Sequence, residues 1–239
     1  MRVEAPPIVL IHGAWHGAWC FAALQAELDR RGLASYAIDL PGHGASTLPL
    51  GDLRGDADHV VEVLRRIGQP VVLVGHSYGG AVITEVGAHF TDIAHLVYIA
   101  AFALEAGESV IGLLRSLPAA PVLLSQAMQG NDDGTTTLHG DDVIRQALYG
   151  SMSEAEATAA IRRLDAQPVA TMTQPVSSPR SPSIPSTYVC CTGDNAVDIS
   201  HQRVMAARCS AIISLDSDHS PFLSMPSATA DILTQIAHG

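Results

Sequence analysis

Residues 70–90, PVVLVGHSYGGAVITEVGAHF, carry an apolar run into a serine set between glycines and then continue as a helix-forming stretch. A strand that is apolar at successive positions is buried on both faces, which requires a parallel sheet covered by helices on each side. The runs PIVLIHG (7–13), SYAIDLPGHG (35–44) and IAHLVYIAAF (93–102) repeat the strand pattern. Two helical patterns separate them, AWCFAALQAELDRRG (18–32) and GDADHVVEVLRRIG (55–68). In the first, Phe21, Leu24 and Leu28 share one face and Gly32 is the stop; the second has acidic residues in its first turn and arginines in its last. Strands alternating with helices through right-handed crossovers predict an α/β fold.

The rhythm breaks at 103–185. That segment holds a loose apolar stretch (110–128), a polar loop GNDDGTTTLHGDD, a helix SEAEATAAIRRL (153–164) opened by a Ser-x-x-Glu capping box, and the proline- and serine-rich PVSSPRSPSIP. Only about 175–185 has the composition of a disordered linker. Strands STYVCCTGD (186–194) and AIISLDSD (211–218), and helices at 199–209 and 222–238, restore the pattern. The expectation is one domain with a core of residues 1–102 and 186–239. It has about six mainly parallel strands, and a small helical cap at 103–185 is inserted after the fourth.

With 239 residues, 47% of them hydrophobic, the chain can bury a sizeable core. A net charge of −11 argues against nucleic-acid or anionic-membrane binding. All 13 basic residues are arginine, which excludes lysine Schiff-base chemistry. Cys20, Cys190, Cys191 and Cys209 show no CxxC spacing, so neither a zinc site nor a disulfide framework is expected. His12 and His16 are four apart but straddle a strand end and a loop, so they are not expected to share a metal. The N-terminus, with its early Glu4 and two prolines, does not read as a signal peptide, and no run reaches membrane-spanning length. The expectation is a cytoplasmic protein with no cofactor; the sequence leaves room for a homodimer.

In open parallel sheets ligands bind beyond the carboxyl ends of the strands. Gly75-His76-Ser77-Tyr78-Gly79 lies at such an end, between strand and helix, as a nucleophile elbow requires. A hydroxyl needs a base to attack. Of the 11 histidines, His219 follows the last strand at the same edge, late enough for the order Ser…Asp…His. Asp194 ends the fifth strand and is the leading candidate to orient His219; Glu105, after the fourth strand, is the rival acid. Asp198, Asp216 and Asp218 fit less well. For the oxyanion, the backbone amides of Tyr78 and Ala14 are the candidates. Trp15, His16, Leu113, Leu117 and Met128 are candidate walls of a substrate pocket.

Taken together, these residues resemble the α/β-hydrolases, and more narrowly the plant methylesterase and hydroxynitrile lyase group with its bacterial esterase relatives. VLIHGAWHGAWCF (9–21) is similar to that group's opening signature, GHSYGG to its elbow, TYVCCTGDNAV to its acid-bearing strand and SDHSPFLS to its histidine loop. The stretch from Tyr149 to Val176 is similar to its compact helical cap. The resemblance implies a cofactor-free serine hydrolase that cleaves a small-molecule carboxylic ester. Cyanohydrin-cleaving members carry threonine in the oxyanion loop and lysine after the histidine; here Gly13 and Ser220 stand there, which disfavours lyase chemistry. The esterase branch often has leucine after the serine, where this chain has Tyr78. The same triad acting on a thioester, lactone or carbon–carbon bond, and a ligand-binding receptor on a hydrolase scaffold, are the alternatives.

Overall fold

The structure is a computed structural model that describes residues 5–239; residues 1–4, including the Glu4 used in the leader reading, lie outside the described residues. The first half alternates as expected: β1 (Ile8–Ile11), a 3-10 turn (Ala18–Phe21) running into α1 (Ala22–Arg30), β2 (Ser35–Ile38), α2 (Leu53–Ile67), β3 (Val71–His76), α3 (Gly79–His89) and β4 (Ile93–Ile99). Helix α2 starts on the Asp52 carboxylate, which accepts the Gly55 N–H, and ends on Gly68 in a left-handed conformation.

Between β4 and the next long strand lie α4 (Val110–Ser116), α5 (Leu124–Ala127), β5 (Met128–Gly130), β6 (Thr135–Leu138), α6 (Asp141–Leu148), α7 (Glu154–Ile161), β7 (Gln167–Pro168) and α8 (Val169–Thr173). The chain returns through β8 (Ser186–Cys191), α9 (Ile199–Ala206), β9 (Ala211–Leu215), α10 (Pro221–Ser224) and α11 (Pro226–His238).

The main sheet has six parallel strands in the order β2-β1-β3-β4-β8-β9. The order reverses direction between β1 and β3, and that switch point opens the crevice where open α/β sheets bind ligands. Alternation along each strand divides the core between the two faces. Leu73, Tyr98 and Tyr188 pack with Val60 and Leu64 of α2 and Val82 and Val86 of α3. Leu10, Val72 and Val97 pack on the other face with Leu24 and Leu28 of α1 and Leu233 of α11.

Three stretches differ from the sequence expectation. The polar stretch 130–142 is a hairpin, not a loop: β5 and β6 pair antiparallel, and β7 adds a third strand. Gly134 at φ 80° and Asp133, which accepts the Thr135 N–H, close the turn, and the β-branched Thr135–Thr137 suit a strand. Helix α6 adds an element that was read as loop at its start; its Ile144, Ala147 and Leu148 form a small separate core with Ala157 and Ala160 of α7. The terminal helix is broken at Pro226, which cannot donate to a continuous ladder. The capping box is present as read, with Ser153 and Glu156 bonded reciprocally. Residues 175–185 have no helix or strand, yet Ser177 donates twice to Glu85 (2.7 and 2.6 Å) and Ser181 N–H donates to Gly87 O (2.9 Å), pinning the stretch to α3. Among the described residues no helix is long and apolar enough to cross a membrane.

Candidate active site

Ser77 directly follows β3 with φ 49°, a left-handed conformation that L-residues adopt at a cost of about 1–3 kcal/mol. Its surroundings explain how this is held. The Ser77 N–H donates to Ile99 O (3.2 Å), and the Ser77 carbonyl accepts from Gly80 N–H and Phe102 N–H (each 3.0 Å). The flanking glycines are steric necessities. A Cβ on Gly75 would lie 2.5 Å from Gly79 O, and one on Gly79 would lie 2.5 Å from Ile11 O. The tight bend thus exists because α3 leaves β3 directly against backbone on both sides.

His219 is buried, and its Nδ1 lies 2.7 Å from Asp194 Oδ2. Asp194 also accepts the N–H groups of Ala196 (2.7 Å) and Val197 (2.9 Å) and the Gln202 side-chain amide (2.9 Å). With donors on every side, this carboxylate stays an acceptor; the hydrogen bond from His219 Nδ1–H keeps the ring proton on Nδ1 and leaves Nε2 as the basic nitrogen. His76 Nε2 donates to the His219 carbonyl (2.9 Å), its ring 4.5 Å from that of His219, centre to centre. The preceding residue of the elbow therefore braces the histidine loop. Burial holds His76 well below the usual imidazole range, so it serves as a neutral strut.

Glu105, the rival acid, is exposed and faces Arg208, 3.8 Å away. Asp198 caps α9 through Ser200, Asp216 accepts from Thr192, and Asp218 binds the N–H groups of Ser151 and Ser220. Of the five carboxylates weighed, Asp194 alone is bonded to the His219 ring among the described residues.

The loop after β1 approaches the elbow so closely that a Cβ on Gly13 would lie 2.9 Å from Ser77 Cβ and from His76 Nδ1. No side chain fits at Gly13. The Ala14 and Tyr78 amides, both on buried residues, have no hydrogen-bond acceptor among the described residues. Buried amides without partners are rare, and these two flank the serine. Burial lowers His12 to about 3 and His16 to about 4. Both are neutral, with every ring nitrogen engaged: His12 with Gly13 O and the Leu40 N–H, His16 with Ala14 O and the Tyr149 hydroxyl.

The Tyr78 hydroxyl donates to Asp56 Oδ2 at 2.5 Å, deep between α2 and the elbow. Desolvation pushes the Asp56 carboxyl up to about 7, with the Tyr78 hydrogen bond opposing it and Asp52 adding to it. A carboxyl raised by folding binds its proton more tightly in the native state. Its stabilisation is therefore full below the unfolded value near 4 and is lost as pH rises through about 7. Thermal melts of wild type and Asp56→Asn from pH 4.5 to 8 test this: wild type is expected to lose stability relative to the variant, on the order of a few kcal/mol at most. A pH-independent difference contradicts it.

A cavity of about 140 Å³ opens on Ser77. Its walls are almost wholly apolar, among them Phe102, Val110, Ile111, Leu114, Val122 and Met172, and it includes Ala14, Trp15 and Met128. Three of the pocket residues read from sequence sit elsewhere. Leu113 is buried and Leu117 half-buried against the main core, because α4 turns its 110, 111 and 114 positions to the cavity. His16 lies behind the loop, bonded to Tyr149. Sequence reasoning also passed over Asp56, Gln167 and Tyr149, polar residues whose buried partners lie 22, 152 and 133 residues away in the chain; no local signal marks them.

The model of a family described as the alpha/beta hydrolase family matches residues 8–232. The alpha/beta hydrolase nvfD of Aspergillus novofumigatus is 30% identical, over 97% of this chain and 96% of its own length. The pFDCC methylesterase MES16 of Arabidopsis thaliana is 28% identical, over 91% and 89% of the two chains. Among solved structures, a pyrethroid hydrolase from Sphingobium faniae JZ-2 superimposes with a TM-score of 0.86 at 26% identity, covering 98% of each chain.

Proposed function

Since the chain belongs to the alpha/beta hydrolase family, we propose that it hydrolyses uncharged carboxylic esters with an apolar acyl or alcohol part of small to medium size. The observation that carries this reading is the cavity on Ser77, whose walls hold no charged side chain among the described residues. A charged ester would lose its hydration there and find no partner. Similarity to the Arabidopsis methylesterase and the pyrethroid hydrolase supports the same reaction class.

In this mechanism Ser77 Oγ attacks the ester carbonyl carbon while His219 Nε2 takes the hydroxyl proton. The tetrahedral oxyanion is bound by the Ala14 and Tyr78 N–H groups. Collapse breaks the bond to the alcohol, which leaves with the proton from His219. Water then donates a proton to His219, attacks the acyl carbon and releases the acid, restoring the Ser77 hydroxyl. Asp194 keeps His219 in the tautomer that can accept. Residues 103–185 form the cap that closes the cavity. The four cysteines, all free and none fully exposed, support a reducing compartment such as the cytoplasm.

A panel of p-nitrophenyl esters tests the reading. The acetate and butyrate are expected to turn over with kcat/KM at least about tenfold above the anionic hemisuccinate, since an unpaired buried charge costs more than about 1.4 kcal/mol. Absence of turnover with every ester, or preference for the hemisuccinate, overturns it.

A further inference from the structure

We propose that Gln167, supplied by the cap, is the positioning residue that aims the Ala14 amide at the oxyanion; this rests on the hydrolase reading above. Trp15, which follows Ala14, has φ 63°, a conformation that a bulky residue adopts only when its surroundings impose it. The cap grips all its polar atoms. Trp15 N–H donates to Gln167 Oε1 (3.0 Å), its carbonyl accepts from Asp165 N–H (2.8 Å), and its indole N–H donates to Thr136 O (3.1 Å).

Among these contacts, the one to Gln167 acts on the peptide plane that joins Ala14 to Trp15. The N–H of that plane is held by Gln167 and its carbonyl, Ala14 O, accepts from His16 Nδ1 (2.8 Å). The Ala14 N–H lies in the preceding peptide plane, whose carbonyl, Gly13 O, accepts from His12 Nδ1 (2.8 Å) and His16 N–H (3.3 Å). Fixing the Ala14–Trp15 plane holds the other side of the Ala14 Cα, and the two together set the direction of that N–H. Gln167 is fully buried and is itself anchored. Its Nε2 donates to Thr171 Oγ1 (2.8 Å), whose hydroxyl donates onward to Pro168 O (2.7 Å), and its Oε1 also lies 2.9 Å from His43 Nε2. A backbone N–H can only donate, so the oxygen of Gln167 must face Trp15; that bond, and not His43, whose other ring nitrogen faces Pro41 O (3.0 Å), fixes the orientation of the amide. The oxyanion donor is thereby tied to a side chain 152 residues away.

The test compares Gln167→Met, which keeps the volume and removes the acceptor, with Gln167→Glu, which keeps an acceptor oxygen. Two aryl ketones serve as ligands. The trifluoromethyl ketone forms a tetrahedral oxyanion with Ser77, and its methyl counterpart stays a neutral carbonyl. Loss of a whole oxyanion donor costs ~10²–10³ in rate. Misdirecting one in Gln167→Met is expected to lower kcat by ~10–100-fold with KM changed by no more than about threefold. Affinity for the trifluoromethyl ketone should fall by the same factor as kcat/KM, and affinity for the methyl ketone should not. Gln167→Glu is expected to recover most of the loss.

Ile144→Ala, in the small cap core, controls for general loosening and should lower the melting temperature without this kinetic split. If Gln167→Met does not fold, Thr171→Val, which frees the other end of the amide, is expected to show the same split at smaller size. Wild-type kcat and trifluoromethyl ketone affinity in a folded Gln167→Met, or equal weakening of both ketones, overturns the proposal while the hydrolase reading stands. A wild-type protein that neither turns over esters nor binds the trifluoromethyl ketone removes both.

Discussion

Replacing Ser77 by alanine is expected to lower kcat/KM for p-nitrophenyl acetate by about 10⁴–10⁶-fold while leaving the fold intact. The size follows from what is lost. Without the hydroxyl no acyl-enzyme forms, and only the two backbone donors and the cavity remain to favour attack by water. The fold should survive because the backbone hydrogen bonds that hold the elbow, from Ser77 N–H to Ile99 O and from Phe102 N–H to Ser77 O, involve no side chain. Melting temperature and steady-state kinetics on the same preparation check both halves. An alanine variant with activity within about tenfold of wild type would remove Ser77 from the mechanism.

The second large effect is expected at Asp194. Asp194→Asn should lower kcat by about 10⁴-fold with KM little changed. The amide would place an N–H opposite His219 Nδ1, where the carboxylate now accepts at 2.7 Å. The ring would then carry its proton on Nε2 and cannot take one from Ser77. Glu105→Gln is the matched control, expected to stay within about twofold, because Glu105 is solvent-facing and its carboxylate faces Arg208 at 3.8 Å. Equal losses in the two variants, or a larger loss at Glu105, would reassign the acid.

Much of this architecture is legible in the residues because it is written in short-range signals. The apolar runs of β1, β3 and β4 announce burial on both faces, and Gly75 and Gly79 announce a bend that admits no side chain. Ser77, Asp194 and His219 each follow the carboxyl end of a parallel strand, β3, β8 and β9, and those ends share one sheet edge. What was not legible depends on long-range pairing. Apolar character alone makes Leu113 and Leu117 candidate pocket walls, but which face of α4 meets the cavity is set by its packing on the core. The hairpin at 128–138 was hidden by its polar composition, since its stability comes from turn chemistry and pairing with β7. Gln167 stands in a sequence, AQPVA, with nothing to mark it. Its hydrogen bond to Trp15 joins residues 152 apart in the chain, a pairing that only the folded structure makes visible.

The central claim is that one hydroxyl of this chain is made nucleophilic by a neighbouring imidazole. The most direct measurement is the mass of the intact protein after reaction with a fluorophosphonate, followed by mapping of the modified peptide, in wild type and in His219→Ala. One adduct per chain on Ser77 is predicted in wild type, with labelling slowed by orders of magnitude in the variant. An adduct on another residue, or labelling of Ser77 at the same rate without His219, would contradict the account.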